Sequence, residues 1–320
     1  MIRARRESWP IAGTFRIARG ERSAAEVVVV EVSRAGAMGH GESVPYARYG
    51  ESVDGVVAAI EALPDDVTRD SLATLLDPGA ARNAVDCAHW DLEAKLAGRR
   101  AWELAGTPEP DPVTSCFTLS LDAPDAMAAR AREHASWPLL KIKVSADGAL
   151  ERLRAVHAAA PDAELVVDAN ESWTAELYAR IAPELRGLRV VLIEQPLPAS
   201  AADALAYLPR PVPVCADESC HVAADVVALR ACYDAVNVKL DKTGGLTEAL
   251  ALVAAARAAG LRIMVGCIVG TSLAVAPATV LIPFADIVDL DAPLLLAHDR
   301  DDGLRYEAST LYPPSAALWG

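Results

Sequence analysis

From residue 113 onward the sequence repeats one plan: a short apolar segment of strand length, then an alanine-rich stretch of helical length. The apolar segments are VTSCFTLS (113–120), LLKIKV (139–144), ELVVDAN (164–170), VVLIEQP (190–196), VPVCADES (212–219), AVNVKL (235–240), RIMVGC (262–267) and IVDLD (287–291). From Lys143 through Asp168, Glu194, Asp217, Lys239 and Gly266 to Asp289, the steps are 25, 26, 23, 22, 27 and 23 residues. Such spacing suits parallel strands joined by helical crossovers, and eight strands with seven crossovers imply a closed barrel. The expected fold class is α/β, a modified (β/α)7β barrel of the TIM type. An open doubly wound sheet is the alternative, but no G-x-G-x-x-G follows the first strand to support it.

Residues 1–55 read differently. Strand-like runs, EVVVVEVS (26–33) and AMGHGESV (37–44), are broken by glycine-bearing turns. Helical spacing follows over 53–105, as in AARNAVDCAHWDLEAKLAG, which stops at Gly98. Strands followed by helices imply a small α+β domain, and PEPDP (108–112) reads as a linker.

At 52 % hydrophobic the chain can build a large core, yet its apolar runs, such as VVVV at 27–30, are far shorter than the roughly 20 residues a bilayer demands. The start, MIRARRESWP, has no apolar stretch behind it, so no secretory signal is expected and the location is expected to be cytoplasmic. The formal charge of 30 − 44 = −14, without a basic stripe, argues against nucleic acid and anionic membranes as partners. Cys87, Cys116, Cys215, Cys220, Cys232 and Cys267 show no C-x-x-C and are expected to be buried free thiols. Cys215 and Cys220 flank ADES but lack the further ligands that zinc requires.

The polar residues of the strand segments collect at one end. Lys141 and Lys143, Asp168 and Asn170, Glu194, Asp217, Lys239, and Asp289 and Asp291 all stand at C-terminal strand ends, which converge on the catalytic face of such a barrel. An amphipathic edge strand would explain Lys141 and Lys143 alone, but not charges recurring once per unit at the same end. Asp168, Glu194 and Asp217 form an all-oxygen set suited to Mg²⁺ or Mn²⁺. Alternation puts Cys215, Asp217 and Ser219 on one face, which selects Asp217 over Glu218. Asn170 is placed to support Asp168.

Lys141 and Lys143 precede these acids and Lys239 follows them, so amines flank the ion site from both sides. Lys141 beside Lys143, with a divalent ion near, is expected to lower the pKa of a base lysine. Three carboxylates, one ion and one protonated lysine sum to a nearly neutral site.

K-I-K (141–143), D-A-N (168–170), E-Q-P (194–196), A-D-E-S (216–219) and N-V-K-L-D-K-T-G-G (237–245), in this order, resemble the enolase superfamily in its muconate-lactonizing subgroup. The likeness spans nearly the whole chain and includes GESVPYARYG (41–50) in the N-terminal domain. D-L-D-A-P (289–293) looks like the D-x-D motif of dipeptide epimerases, and ARYGES and KLDKTGGLTEAL are similar to those acting on L-Ala-D/L-Glu.

The resemblance implies a substrate-specificity cap over 1–110, a catalytic barrel over 111–295, and a segment 296–320 packing back on the cap. It implies 1,1-proton transfer at the α-carbon of a small dipeptide's C-terminal residue, through a metal-stabilised enolate. Lys143 and Lys239 would be the acid/base pair, and Lys141 would assist Lys143 and steady the enolate oxygen. Mg²⁺ would sit on Asp168, Glu194 and Asp217, and Asp289 and Asp291 would hold the dipeptide's ammonium group. Recycling of murein peptides would be the setting, and a homo-oligomer would be in keeping with the family.

A glutamate side chain would need a cation from the cap. Arg16, Arg19 and Arg22 lie in what reads as a loop before a strand, and Arg19 or Arg22 is the candidate. Tyr46, Arg48 and Tyr49 would close over the substrate, and Gly266, Cys267 and Ile268 would line it. Lys242, Gly244 and Gly245 read as structural residues opening a helix, and the six histidines as structural. The competing readings are a sister o-succinylbenzoate synthase or muconate cycloisomerase, which need no ammonium site, and a non-catalytic anion-binding barrel.

Overall fold

The computed structural model describes residues 1–320. An antiparallel sheet comes first: β1 (Ile2–Ile17), β2 (Gly20–Arg34) and β3 (Ala37–Ser43), in that order. The run VVVV explains why β2 is central. Val28 and Val30 pack on the helices of their own domain, while Val27 and Val29 join the barrel core, so both faces of the strand are covered. The helix Ala80–Ala97 lies on β3 and stops at Gly98, whose φ of 61° is left-handed. It lies so close that a Cβ on Gly39 or Gly41 would fall 2.1 Å from the carbonyl oxygen of Ala88 or Ala84.

β1 has no counterpart in the sequence reading. Its charges obscure the alternation, because ion pairs across the hairpin, such as Arg5 with Glu31, take the place of apolar contacts. The expected loop at Arg16–Arg22 is instead the tip of this hairpin. Arg16 on β1 pairs with Glu21 on β2 at 2.9 Å, and Arg19 stands in the turn.

After a two-residue strand β4 (Val113–Thr114), eight parallel strands follow: β5 (Phe117–Leu119), β6 (Leu139–Lys143), β7 (Glu164–Asp168), β8 (Val190–Glu194), β9 (Val214–Ala216), β10 (Ala235–Val238), β11 (Arg262–Gly266) and β12 (Ile287–Asp289). Their order in the sheet is their order in the chain. The barrel is nearly closed. Between β12 and β5 the ladder is replaced by single bonds, Cys116 N–H to Val288 O at 2.8 Å and Thr118 N–H to Asp291 Oδ2 at 2.6 Å. Every expected apolar segment contains one of these strands.

The crossovers are less regular than their alanine content suggests. Ala199–Tyr207 and Ala276–Phe284 are 3₁₀ rather than α; in the second, Pro277 and Pro283 remove backbone donors.

Cys116, Val166, Leu192, Cys215, Ala235, Met264 and Ile287 cluster together inside the barrel. Five cysteines are buried free thiols and Cys267 is half-buried. At the end of the chain, β13 (Tyr306–Glu307) and β14 (Thr310–Leu311) pair with each other and β14 with β4. Trp319 Nε1 then donates to Cys87 O at 3.0 Å, and Gly320 N–H to Asp91 Oδ1 at 2.8 Å. No helix is long and apolar enough to cross a membrane.

Candidate active site

A cavity of 460 Å³ opens between the barrel's C-terminal face and the N-terminal domain. Its barrel side carries Lys143, Asn170, Asp217, Lys239, Cys267 and Ile268. The hairpin tip contributes Phe15, Arg19 and Arg22, and the second loop Tyr46, Arg48 and Tyr49. Lys141, Asp168, Glu194, Asp289 and Asp291 do not line it; they are buried beneath its floor.

Strand register sets the floor. Lys143 pairs with Asp168 and Asp168 with Glu194 across β6, β7 and β8, which places these side chains at one level. Asp217 follows β9 by one residue, and its N–H is held by Gln195 Oε1 at 2.9 Å. The same oxygen takes Ser219 N–H, while Gln195 Nε2 donates to Tyr233 Oη and Ser219 Oγ. Asn170, Glu171 and Gln195 have positive φ, of 45°, 64° and 35°; backbone of that kind persists only where its surroundings impose it.

Four buried lysines answer four buried carboxylates. Lys143 Nζ lies 2.5 Å from Asp168 Oδ2, and Lys239 Nζ 2.8 Å from Asp217 Oδ2. Lys141 Nζ is 2.6 Å from both Glu194 Oε2 and Asp289 Oδ2. Lys242 Nζ is 2.7 Å from Asp217 Oδ1 and donates to Asn237 O. Burial raises the Asp168 carboxyl, but the Lys143 and Lys141 ammonium groups outweigh it and hold the group at about 2. Burial works against the charge on Lys141 and Lys239, yet their carboxylates keep both well above the usual lysine value.

One expectation is thereby corrected: Asp289 is not the unpaired acid expected, because Lys141 reaches it from 148 residues away. The same amine also pairs with Glu194.

Asn237 Nδ2 donates to Glu194 Oε1 at 2.7 Å. Alternation in N-V-K places it on the face of Lys239, a signal that was available in the sequence. Lys242 lies one helical step, i to i+3, from Lys239 and is buried outside the cavity, where it braces Asp217. Glu218 turns away from the lysines to Arg19, at 2.6 Å, so the floor position goes to Asp217. Burial and the charges of Asp217 and Asp168 push the Glu218 carboxyl up to about 7.

By donor type Asp168, Glu194 and Asp217 fit a hard divalent cation. Glu194 Oε2 and Asp217 Oδ1 make no directed hydrogen bond, although the Lys141 and Lys242 ammonium groups lie 2.6 and 2.7 Å from them. As they stand, no three acidic, histidine or cysteine side chains are grouped tightly enough to grip a metal; the amines stand between them.

Residues 1–106 match the mandelate racemase / muconate lactonizing enzyme N-terminal domain, and residues 125–316 the enolase C-terminal domain-like family. The L-Ala-D/L-Glu epimerase of Escherichia coli (strain K12) is 46 % identical over 96 % of this chain and 97 % of its own length. An N-acetyl-D-glutamate racemase from a Pseudoalteromonas species is 43 % identical over 92 % of this chain and 95 % of its own. Among solved structures, an enolase family member from Agrobacterium tumefaciens, with homology to dipeptide epimerases and with bound sodium and L-Ala-L-Glu, superposes with a TM-score of 0.97 at 50 % identity, covering 100 % of this chain and 99 % of that one. With both of its domains matched and its floor built from the strand ends of one barrel, the chain belongs to the enolase superfamily, in its mandelate racemase / muconate lactonizing branch.

Proposed function

We propose that the protein is a dipeptide epimerase acting on L-Ala-D/L-Glu, an isomerase that inverts the α-carbon of the C-terminal residue. The observation that carries this reading is the placement of Lys143 and Lys239. β6 and β10 are four places apart in an eight-stranded barrel, so the two amines face each other across the cavity. One lysine removes the α-proton from its side and the other delivers a proton to the opposite side, and the roles exchange for the other epimer.

Asp168, Glu194 and Asp217 would hold Mg²⁺, with Mn²⁺ as a substitute. When bound, such an ion supplies a Lewis acid for the substrate carboxylate and accepts the charge left by the departing proton. Lys141 keeps the floor neutral around Glu194, and Asn237 and Asn170 steady the acids. Tyr49, Cys267 and Ile268 wall the substrate off from water.

Arg22 is the cation for the glutamate side chain. It lines the cavity and packs on the Tyr46 ring 5.1 Å from its centroid, with no carboxylate partner, whereas Arg19 is paired to Glu218 and Glu171. Asp289 and Asp291 attract the ammonium group. Asp289 Oδ1 is buried without a hydrogen-bond partner, and burial and the neighbouring Asp289 charge push the Asp291 carboxyl up to about 7. Lys141 pairs with Asp289 Oδ2, but no amine pairs with Asp291, and that unpaired carboxyl favours a cationic ligand. The setting would be murein peptide recycling in the cytoplasm.

An N-acetylated glutamate, as in the racemase relative, would use the same two lysines but offer no ammonium group. The deciding experiment incubates the protein with Mg²⁺ in D₂O. L-Ala-L-Glu gains deuterium at the glutamate α-carbon and converts to the L,D epimer, followed by NMR and chiral chromatography. Exchange of N-acetyl-L-glutamate but of no dipeptide would transfer the activity to the racemase. No exchange in either would end the two-lysine reading.

A further inference from the structure

Arg19 is not a side chain waiting for substrate. From the turn between β1 and β2 its guanidinium reaches four groups outside its own hairpin. These are Glu218 Oε1 at 2.6 Å, Asn170 O at 2.8 Å, Tyr46 Oη at 3.1 Å and Glu171 Oε2 at 3.3 Å. Three of them belong to the segments directly after Asp168 and Asp217. The fourth, Tyr46, stands on the other capping loop, and its ring is the surface on which Arg22 packs. Arg48, on that same loop, forks onto Glu171 at 2.7 and 2.9 Å.

Two loops of the N-terminal domain thus grip two acids of the barrel. Glu218 is buried and Glu171 nearly so, and a buried carboxylate is costly unless a cation pairs with it. A guanidinium suits the task, being planar, permanently charged and able to bond several acceptors at once. The left-handed backbone at Asn170 and Glu171 needs external support, and Arg19 bonds to both residues.

We propose that Arg19 is a positioning residue, a clamp that fixes both capping loops on the barrel mouth and holds Tyr46 and Arg22 over the cavity. It is not the ligand of the substrate side chain. The kinetic consequence rests on the epimerase reading; the clamp itself does not.

The test compares wild type with Arg19→Met, Arg19→Lys and Arg22→Met. Hydrogen–deuterium exchange is read first on the protein without substrate. Arg19→Met speeds exchange over residues 14–24 and 44–52 by about tenfold, with helix Ala80–Ala97 unchanged. Arg19→Lys is intermediate, and Arg22→Met matches wild type. Wild-type protection of both loops in Arg19→Met would overturn the clamp. Should Arg19→Met lose protection throughout the chain, Arg19→Lys is judged in its place by the same criterion.

Kinetics provide the second readout. Arg19→Met raises KM for L-Ala-L-Glu and for L-Ala-L-Leu by similar factors, because closure serves any dipeptide. Arg22→Met raises it far more for L-Ala-L-Glu. An Arg19→Met profile as glutamate-selective as that of Arg22→Met would overturn the proposal. If wild type turns over neither dipeptide, the epimerase reading fails and the exchange result alone decides the clamp.

Discussion

Lys143 and Lys239 stand across one cavity, each paired to a different acid: Asp168 at 2.5 Å and Asp217 at 2.8 Å. A planar carbon between them is reached from either face. Lys143→Ala and Lys239→Ala each lower epimerisation by about 10²–10⁴-fold. In D₂O one variant keeps α-proton exchange only from the L,L dipeptide and the other only from the L,D, as proton NMR will read. Equal exchange of both epimers in either variant would place the lysines on one face.

Arg22 faces the cavity without an acidic partner. A hydrogen-bonded charge pair contributes about 1.5–3 kcal/mol. Arg22→Met therefore raises KM for L-Ala-L-Glu by about 10–100-fold, and much less for L-Ala-L-Leu. Steady-state kinetics on the two dipeptides give the ratio; equal rises would remove Arg22 from glutamate recognition.

Asp291 Oδ2 accepts from Thr118 N–H at 2.6 Å, a bond that an asparagine oxygen can also accept. Asp291→Asn thus removes charge with little change of shape. It lowers kcat/KM for the dipeptide by about tenfold or more, as loss of a charge-assisted contact does, and leaves the melting temperature within a few degrees. Unaltered dipeptide turnover would show that the ammonium group binds elsewhere.

A Cβ on Gly266 would lie 2.4 Å from Asn237 Oδ1 and 2.9 Å from its Nδ2, the donor to Glu194. Gly266→Ala must displace that amide. Overpacking of this kind costs about 1–3 kcal/mol, so melting falls by several degrees and activity drops with it. Calorimetry and turnover are the measures; wild-type values in both would mean that Asn237 yields freely.

Burial pushes the Asp241 carboxyl from 3.8 up to about 7, against the opposing bonds from Val44 N–H and Asn83 Nδ2. Between about pH 4 and pH 7 the folded chain keeps a proton that the unfolded chain has released, so stability falls as pH rises through that window. Asp241→Asn preserves both bonds and removes this group's share, roughly 2–4 kcal/mol at most. Urea unfolding at pH 5 and pH 8 gives the slope. Glu218 and Asp291, both raised to about 7, keep part of it in the variant. An unchanged slope in Asp241→Asn would show that Asp241 is ionised throughout.

The barrel was legible because its signals are local. Period-2 alternation in LLKIKV puts Lys141 and Lys143 on one face, and the spacing of 22–27 residues marks each crossover. β1 was not legible, since its pairing with β2 rests on charges such as Arg5 and Glu31, which look like ordinary surface residues in the sequence. Lys242 reads as structural in K-L-D-K-T-G-G, but its partner Asp217 appears only once the chain is folded.

By itself the sequence determined the number of barrel strands, the end of each that carries chemistry, and the residue types gathered there, because periodicity and alternation act over a few residues. Only the tertiary structure decided which charge meets which. Lys141 finds Asp289 from 148 positions away, and Arg19 finds Glu218 across the domain boundary. Ion pairing depends on separations of a few ångströms between side chains that the chain order leaves far apart.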